Sequence, residues 1–355
     1  MSRRVLVVRL DGAGDVLLAG PAVRAVAAAP GAEVTLLCGP DGAAAGRLLP
    51  GVRRVLAWAG PWVLAPAPPV SAVEVDELVA RLAAHAFDEA VVLTSFHQSP
   101  LPTALLLRLA GIGRITGASV DYPGSLLDVR LRPGEDLPED VPEPQRALAI
   151  AAAAGFAPPP DDDGRLAVHR RPAVEPLLGA LAGRPYAVLH PGAAVPARRW
   201  PAEHHRRLAR LLARDGLPVV VTGGAGEREL TAAVAGADAL DLGGRTDLAQ
   251  LAGVLAGAAV VVVGNTGAAH LAAAVGTPVV SLFAPVVPAV RWRPHRVPHV
   301  LLGDQDAPCR DTRARICPVP GHPCLTGVTP EEALSAVRDL VSAPVSAGGA
   351  EEGSA

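Results

Sequence analysis

Short runs of valine and leucine alternate with alanine- and leucine-rich segments along this chain of 355 residues. Each run is only a few residues long, and such runs between turn residues are typical of strands that are buried on both faces. Because strands that alternate with helices form parallel sheets covered by helices on both sides, we predict an α/β architecture. The predicted strands are Val5–Val8, Glu33–Leu37, Ala90–Leu93, Tyr186–Leu189, Pro218–Val221, Ala259–Val263 and Val279–Phe283. The predicted helices are Pro21–Ala29, Val73–His85, Leu101–Ala110, Pro201–Arg214, Glu227–Val234, Thr246–Leu255, one that begins at Gly267, and Glu331–Leu340.

A proline-rich, acidic run, Ala157–Gly164, interrupts this alternation, which then begins again. Its composition is typical of a linker, and the chain is long enough for two domains. We therefore predict two doubly wound, Rossmann-like domains, over residues 1–165 and 166–342, that face each other across a cleft. Residues 343–355 are small and polar and are predicted to form a disordered tail. Ligands of doubly wound sheets bind beyond the carboxyl ends of the strands, so the loops after strands are the candidates for function.

The bulk composition argues against several classes of partner and location. A net charge of -3 gives no electrostatic case for binding nucleic acid. The longest uncharged apolar stretch, Leu251–Gly264, is shorter than the roughly 20 residues of a membrane span. The apolar run near the start is too short for a signal peptide, so we expect a cytoplasmic protein. The chain contains no lysine, and arginine is its only strong base.

The first predicted strand leads into the segment RLDGAGDVLLAGPAVRAV, which places a glycine turn before a helix. A dinucleotide-binding turn has the pattern G-x-G-x-x-G, and here Gly12 and Gly14 fit the first two positions while Leu17 occupies the third. The mismatch argues against an oxidoreductase that uses NAD. Asp15 has two interpretations in this turn. It caps the helix by accepting hydrogen bonds from backbone N–H groups, or it acts as a general base at the cleft.

The most informative loop of the second half follows the predicted strand Ala259–Val263. Its sequence, VGNTGAAH, clusters two glycines, an asparagine and a threonine where a ligand of the sheet binds. Small residues let a ligand approach the helix start, where Thr266, Gly267 and Ala268 offer N–H and hydroxyl donors to a diphosphate. The alternative reason for the glycines is a tight strand–helix join. His270 lies in the first turn of this helix, where packing in the core is the plainer interpretation.

Two other loops of the second half carry charged candidates. In TGGAGERE, Glu227 follows a glycine-rich turn, where it either accepts a ribose hydroxyl or stabilises the N-terminus of the next helix. The segment HPGAAVPARRWP presents Arg198 and Arg199 after a strand. An arginine in the cleft neutralises a leaving phosphate, whereas a solvated pair is the ordinary role of such residues.

The four cysteines are too few for a disulfide framework in a chain of this length. Three of them lie in CRDTRARICPVPGHPC, as Cys309, Cys317 and Cys324, together with His322. Zinc accepts three cysteines and one histidine, but the paired C-x-x-C spacing of zinc sites is missing. We therefore interpret the segment as a reduced structural loop or one with an occasional disulfide, and leave a metal site open.

Several of these segments, taken together, resemble glycosyltransferase family 9, the ADP-heptose:lipopolysaccharide heptosyltransferases and their relatives. The resemblance rests on RLDGAGDVLLAGPAVRAV, LLRLAGIGRITG, HPGAAVPARRWP, TGGAGERE and VGNTGAAHLAAAVGTPVVSLFAP, whose order and spacing span most of the chain. It implies a GT-B fold, in which the acceptor binds the N-terminal Rossmann-like domain and the nucleotide sugar binds the C-terminal one. It also implies an inverting sugar transfer that needs no metal or other cofactor.

The resemblance assigns a role to each matching position. Asp15 corresponds to the catalytic base, and Arg198 corresponds to the basic residue, commonly lysine, that binds the donor phosphate. The other positions that it implies for the donor are Glu227, Asn265, Thr266, Gly267, Ala268 and His270. We expect the acceptor to be bound by loops that follow strands of the first domain, and the candidates there are Gly14, His97 and Gln98, the latter two in TSFHQSP.

One position departs from the family pattern. Asn265 stands where heptose-using relatives often have aspartate, and an amide keeps one acceptor, adds a donor and loses the charge. The expected donor is a nucleoside-diphosphate sugar, ADP-heptose by resemblance, and the expected acceptor is the lipopolysaccharide core or another cell-surface glycan. A glycolipid acceptor would bring the chain into peripheral contact with the inner membrane. The alternatives are a nucleotide-sugar 2-epimerase-like isomerase and a sugar-nucleotide-binding protein without catalysis.

Overall fold

The computed structural model describes residues 2–169 and 172–342. It contains two parallel six-stranded sheets. The strands of the first sheet are β1 (Arg3–Arg9), β2 (Ala32–Cys38), β3 (Val52–Ala57), β4 (Glu89–Val92), β5 (Arg114–Ala118) and β6 (Val129–Leu131). The strands of the second sheet are β7 (Ala187–His190), β8 (Val219–Val221), β9 (Leu240–Asp241), β10 (Val260–Gly264), β11 (Val279–Leu282) and β12 (His299–Leu302).

The helices fall into two sets, one for each sheet. We call β1 to α6 the N-terminal unit and α7 to α14 the C-terminal unit. The helices of the N-terminal unit are α1 (Ala13–Leu18), α2 (Gly20–Ala27), α3 (Ala43–Gly46), α4 (Ala72–His85), α5 (Leu101–Leu109) and α6 (Glu143–Ala153). Those of the C-terminal unit are α7 (Glu175–Leu178), α8 (Ala202–Arg214), α9 (Arg228–Ala235), α10 (Leu248–Ala256), α11 (Gly267–Ala274), α12 (Ala289–Trp292), α13 (Pro323–Thr326) and α14 (Pro330–Ser342).

Alternate residues of the central strands pack into different cores, because successive side chains of a strand point to opposite faces. In β1, Val5 and Val7 contribute to one core, and Leu6 and Val8 to another. The strand β10 divides its valines in the same way between two cores. One of these cores is common to both units, so the inner faces of the two sheets are joined by continuous apolar packing. This packing confirms the predicted sheets with helices on both faces.

Both sheets have the doubly wound strand order. The first runs β3-β2-β1-β4-β5-β6, and the second runs β9-β8-β7-β10-β11-β12. In each sheet, the order in which strands are added reverses between two central strands. These are β1 and β4 in the first sheet and β7 and β10 in the second. Ligands of such sheets bind beyond the carboxyl ends of the strands at this reversal. The topology therefore selects four loops, those after β1, β4, β7 and β10, as the functional ones.

The two units touch at the helices that follow β1 and β10. A side chain at Gly14 in α1 would place its Cβ 3.2 Å from the Cα of Gly267 and 3.0 Å from a ring carbon of His270. A side chain at Gly267 would lie 3.4 Å from the backbone nitrogen of Gly14. The two glycines therefore allow the starts of α1 and α11 to meet, and this contact sets the two functional loops side by side.

The predicted central strands and most predicted helices are confirmed, with shifted ends. The helix predicted at Thr246–Leu255 begins at Leu248, because the Asp247 side chain caps it by accepting a 2.7 Å bond from the Gln250 N–H group. The predicted strands did not include β3, β5, β6, β9 and β12, and the predicted helices did not include α1, α3, α6, α7, α12 and α13.

The predicted linker, Ala157–Gly164, lies between α6 and α7 and contains no helix or strand. Asp162 in this segment forms a two-bond ion pair with Arg24 of α2, at 2.6 and 2.7 Å, so the segment is attached to the N-terminal unit. The predicted boundary between residues 165 and 166 stays a prediction, and the predicted tail, 343–355, lies outside the described residues. In the described part of the chain, no helix is both long and apolar enough to cross a bilayer.

Candidate functional site

The four loops selected by the topology line one cavity of about 570 Å³ between the two units. Asp15 lies on one wall, and Arg198, Thr266 and His270 lie on the opposite wall. The other lining residues from the predicted set are Gly14, His97, Glu227, Asn265, Gly267 and Ala268. The structure thus brings nearly all of the predicted residues to a single cleft, and Gln98 does not line it.

Asp15 does not cap its helix. The N-cap position of α1 is Gly12, and Asp15 is the third residue of the helix, so the capping interpretation is wrong. Instead, its Oδ1 atom accepts a 2.9 Å bond from the Arg9 Nη2 atom and a 3.2 Å bond from the indole nitrogen of Trp292. The side chain keeps 29% of its surface exposed. Its Oδ2 atom forms no hydrogen bond to the described residues and is the oxygen available to a ligand.

The environment keeps Asp15 ionised. Burial by itself raises the pKa of this carboxyl, but the charge of Arg9, the bond from Trp292 and the proximity of His270 outweigh burial, and the net pKa is lowered. The neighbouring Asp11 behaves in the opposite way: burial raises its pKa, and the Arg9 charge only partly compensates. Two adjacent carboxyls with pKa values displaced in opposite directions are typical of a catalytic site.

Arg9, the last residue of β1, organises this side of the cleft, and the sequence analysis did not select it. Its guanidinium is 3% exposed and pairs with Asp11 at 2.8 Å, Asp15 at 2.9 Å and Glu143 at 3.4 Å. It also donates a 2.7 Å bond to the hydroxyl of Ser95. Burial by itself lowers the pKa of Arg9, but the surrounding carboxylates raise it by more. The net pKa is therefore raised, and the residue stays charged. The signal for Arg9 in the sequence was its charge directly after the apolar run Val5–Val8.

The opposite wall holds polar atoms without partners. Among the described residues, nothing hydrogen-bonds to the amide nitrogen of Asn265, the hydroxyl of Thr266 or the Nδ1 atom of His270, although all three atoms are buried. Buried polar groups are nearly always paired, and an unpaired one costs on the order of 1–3 kcal/mol. The three residues that carry these atoms line the cavity, where a bound polar ligand can supply the missing partners. His270 is accordingly not the satisfied packing histidine of the plainer interpretation.

Arg198 lies beside this group of atoms. Its Nη1 atom donates a 3.4 Å bond to the backbone oxygen of Asn265, and its buried Nε atom has no partner in the described part of the chain. Burial lowers the pKa of Arg198, and Asp15 across the cleft opposes that effect. Gly264 allows this placement, because a Cβ there would lie 2.8 Å from the backbone oxygen of Arg198. A half-buried guanidinium of this kind suits an anionic group.

Glu227 serves the local structure and lines the cleft as well. Its Oε2 atom accepts a 2.8 Å bond from the Gly224 N–H group, which closes the turn before α9. The same carboxylate packs against Gly192, where a side chain would overlap it. His190 lies near it, and burial lowers the pKa of this histidine while Glu227 raises it. Both interpretations of Glu227 therefore remain compatible with its position.

The two acceptor candidates after β4 lie in different surroundings. His97 lines the cleft, and burial together with the charge of Arg313 lowers its pKa to about 4, so it is neutral near pH 7. Gln98 instead holds the loop: its amide nitrogen donates a 2.7 Å bond to Asp11, and its amide oxygen accepts a 3.0 Å bond from the Ser95 N–H group. Gln98 thus acts on the site through Asp11.

Two cleft residues had no sequence signal that we used. Trp292 of α12 reaches Asp15 from the C-terminal unit, and Arg313 comes from the cysteine-containing loop. Arg313 has a φ of 56°, which is uncommon for a residue other than glycine, and its N–H group donates a 2.7 Å bond to Val286. Loops distant in sequence deliver both residues, so local patterns did not reveal them.

The cysteine-containing loop packs behind Arg198. Cys309 and Cys324 are buried, and burial raises the pKa of Cys324 to about 12, which keeps it a thiol. His322 contacts the backbone oxygen of Ala197 at 3.1 Å. Among the residues that the structure describes, no group of three or more histidine, cysteine, aspartate or glutamate side chains is arranged to hold a metal ion.

A family model and the curated relatives agree on one family. A family model described as glycosyltransferase family 9 (heptosyltransferase) matches residues 75–321. Lipopolysaccharide heptosyltransferase 1 of Pseudomonas aeruginosa is 34% identical over 175 residues, which are 49% of this chain and 48% of that protein. Lipooligosaccharide heptosyltransferase 2 of Haemophilus influenzae is 28% identical over 225 residues, 56% of this chain and 62% of that protein. The chain thus spans about half to three fifths of the length of these two relatives.

Solved structures share the fold at full length. E. coli ADP-heptose lps heptosyltransferase II superposes with a TM-score of 0.71 at 23% identity, covering 95% of this chain and 98% of that one. The glycosyl transferase family 9 from Veillonella parvula gives 0.78 at 18% identity, covering 96% and 98%. E. coli heptosyltransferase WaaC with ADP gives 0.66 at 22% identity, covering 95% and 97%. The predicted GT-B fold, with two Rossmann-like units that face a cleft, is confirmed.

Proposed function

The chain belongs to glycosyltransferase family 9, and from that premise we propose that it is an inverting glycosyltransferase. The donor in this proposal is a nucleoside-diphosphate sugar, ADP-heptose or a related sugar nucleotide. The acceptor is a hydroxyl group of the lipopolysaccharide core or of another cell-surface glycan. The proposal places the reaction in the cytoplasm, where nucleotide-activated sugars are made. Relatives that are named heptosyltransferases support heptose as the sugar.

One observation carries the proposal: an ionised carboxylate and a set of donors without partners among the described residues line a single cavity. Asp15 presents from the N-terminal unit an oxygen atom that no described residue bonds. Asn265, Thr266 and Arg198, from the C-terminal unit, present buried N–H and O–H groups that have no partner in the part of the chain that the structure describes. A base on one side and anion-binding groups on the other are what the displacement of a diphosphate by a hydroxyl group requires.

The proposed reaction is a single displacement. The acceptor oxygen attacks the anomeric carbon of the donor sugar while its proton passes to the Oδ2 atom of Asp15. The bond between the anomeric carbon and the diphosphate oxygen breaks on the opposite face, and its electron pair leaves with the nucleoside diphosphate. The anomeric configuration is inverted, because attack and departure occur on opposite faces of the carbon.

The C-terminal unit stabilises the charge that develops on the leaving group. Arg198 lies within 3.4 Å of the Asn265 backbone and is positioned to pair with a phosphate of the donor. The backbone N–H groups of Thr266, Gly267 and Ala268 begin α11, whose positive N-terminal end favours an anion. Fixed donors that await developing charge are usually the largest single contribution to catalysis. His270 stays neutral near pH 7, because burial lowers its pKa to about 4.

The proposal assigns the remaining cleft residues by position. Glu227 contacts the nucleoside, and Asn265 contacts a hydroxyl group of the donor sugar. His97 contacts the acceptor from the loop after β4, and Gly14 lets the acceptor-side helix approach the donor loop. We propose that the transfer needs no metal, because Arg198 and the α11 amides supply the positive potential that the diphosphate requires.

A transfer assay with purified protein tests the proposal. We expect ADP-heptose and a lipopolysaccharide-core acceptor to yield glycosylated product and ADP, with undiminished rates in EDTA. Sugar isomerisation without acceptor would instead identify an isomerase, and donor binding without turnover on any acceptor would identify a binding protein. Thermal unfolding in the presence of ADP, GDP, UDP or NAD identifies which nucleobase the donor site prefers. A nucleotide at 100 times its Kd adds about 2.7 kcal/mol to the free energy of unfolding.

A further inference from the structure

Two adjacent residues of the short helix α12 cross the cleft from the C-terminal to the N-terminal unit. Arg291 and Trp292 are 3% and 9% exposed, and both contact residues of the other unit. Arg291 contacts carboxylates at the start of α6, and Trp292 contacts Asp15. We call this pair the α12 contact. It stands apart from the donor loop, and the proposed displacement does not use it.

Trp292 restricts Asp15 to one orientation. Its indole N–H group and the Arg9 guanidinium both donate to Oδ1 of the carboxylate, at 3.2 and 2.9 Å. Two donors on one oxygen prevent rotation of the carboxylate and leave the other oxygen, Oδ2, directed at the cleft. The tryptophan ring also lies 6.0 Å from the ring of Phe96, in the loop after β4, which holds the indole in place.

Arg291 reaches the same carboxylate indirectly. It donates to Glu143 at 3.4 Å and to Glu139 at 2.6 Å, and its guanidinium lies 4.3 Å above the ring of Phe96. Glu143 is 1% exposed and also pairs with Arg9 at 3.4 Å. The charged chain therefore runs from Arg291 through Glu143 to Arg9, and Arg9 holds Asp15.

We propose that Trp292 and Arg291 are positioning residues that hold Asp15 in the orientation needed for catalysis, with Oδ2 directed at the acceptor hydroxyl. Both residues belong to the C-terminal unit, whereas Asp15, Phe96 and Glu143 belong to the N-terminal unit. The C-terminal unit therefore contributes to the placement of a base that the N-terminal unit carries. The inference rests on the proposed function, in which Asp15 is the base.

The contact also affects the proton affinity of the base. The bond from Trp292 lowers the pKa of Asp15, so its loss raises that pKa. The other ionisable groups that act on Asp15 from the elements around it are Arg9, Asp11, His97, Glu143, Arg198 and His270. Burial lowers the pKa values of His97 and His270 to about 4, so both histidines titrate in the same acidic range as Asp15. The titration of the Trp292 indole, compared between the wild type and Asp15→Asn, separates Asp15 from these histidines.

The test compares Trp292→Phe with Trp62→Phe. Each variant keeps an aromatic ring and removes one indole hydrogen bond, and the bond of Trp62 goes to Thr103, away from the cleft. We expect W292F to move the acidic limb of the kcat–pH profile upward by about one pH unit, a tenfold gain in proton affinity. Its kcat should fall about tenfold with donor Kd unchanged, and W62F should match the wild type. An active wild type and a W292F profile with an unmoved acidic limb would overturn the inference, whereas an inactive wild type would overturn the proposed function.

A measurement on the wild type keeps the inference testable even if W292F does not fold. The indole N–H resonance of Trp292, one of four tryptophans, reports directly on its bond to Asp15. We expect it to titrate with the midpoint of the acidic limb, and this titration should vanish in Asp15→Asn. A Trp292 resonance that is independent of pH would also overturn the inference.

Discussion

The loop after β1 and the loop after β10 occupy the same place in two sheets of the same strand order, yet their polar groups are in opposite states. In the first loop, Asp15 is bonded to Arg9 and Trp292, and Asp11 is bonded to Gln98. In the second loop, the side-chain donors of Asn265 and Thr266 are buried without partners in the described residues. Both loops are glycine-rich turns from strand to helix.

The difference separates a group that reacts from groups that bind. A base must hold one orientation and one charge state before the substrate arrives, so its partners are within the protein. Binding groups gain most when the ligand supplies their missing partners, because unpaired buried donors are costly. The loop after β1 is therefore organised for catalysis, and the loop after β10 is organised to receive an anion. The predictions below test this division from the largest expected effect to the smallest.

Asp15→Asn should give the largest loss. The variant keeps the shape of the side chain but cannot take a proton, so kcat should fall by about 10²–10⁴ while donor Kd stays within a factor of about two. Steady-state kinetics and calorimetric donor binding measure the two quantities. Asp41→Asn, an exposed carboxylate that lines the same cleft, is the matched control and should keep nearly full turnover. Equal losses in both variants would contradict a base at position 15.

Arg198→Ala should weaken binding of the donor and of its nucleoside diphosphate product. A charge-assisted hydrogen bond contributes about 1.5–3 kcal/mol, which corresponds to a roughly 10- to 100-fold increase in Kd. Calorimetric titration with ADP measures the change. Arg206→Ala removes the same charge from the exposed face of α8 and should bind ADP as the wild type does. Unchanged ADP affinity in R198A would move the anion site elsewhere.

Gly14→Ala should disturb the contact between the two loops. Its Cβ would lie 3.0 Å from His270 and 3.2 Å from Gly267, so α1 and α11 would have to separate slightly. We expect kcat/KM to fall on the order of tenfold, the effect of about 1–2 kcal/mol of overpacking. Gly12→Ala is the control, because no atom lies within 4 Å of its Cβ and the backbone φ is −76°. A G12A variant as impaired as G14A would show that the effect is not contact between the units.

Thr266→Val should have the smallest effect. The substitution keeps the volume of the side chain and removes one hydroxyl group that is buried without a partner in the described structure. A single neutral hydrogen bond contributes about 0.5–1.5 kcal/mol, so ADP affinity should fall by roughly 2- to 10-fold. The unliganded variant should unfold at or slightly above the wild-type Tm, because an unpaired polar group has been removed. A lower Tm with normal ADP affinity would mean that the hydroxyl is structural.

The sequence predicted the centre of each sheet but not its edges, and it also missed the interior strand β5. Strands β1, β4, β7 and β10 are nearly continuous runs of buried apolar residues, and such runs carry a strong signal. The edge strands are half exposed: β3 contains two arginines, and β9 has only two residues. Their strand conformation depends on pairing with a neighbour more than on their own composition.

The candidate site shows the same division between local and distant information. Asp15, Arg198 and the Asn265–Ala268 loop lie in the segments between a strand and the next long helix, so the alternation of strand and helix located them. Trp292 and Arg313 enter the cleft from segments with no such signal. The sequence predicted the correct loop for Gln98. The direction of its side chain depends on Asp11, a hydrogen-bond partner far away in the sequence.

The sequence by itself determined two doubly wound sheets and the glycine turns that follow β1 and β10, because hydrophobic periodicity and glycine act locally. Only the tertiary structure decided that Asp15 is held by Arg9 and Trp292 instead of capping its helix. It also decided that two glycines from different sheets meet, so that base and anion-binding loop share one cleft. The bond between Asp15 and Trp292 and the contact between Gly14 and Gly267 each join residues more than 250 positions apart, which the pattern of neighbouring residues does not record.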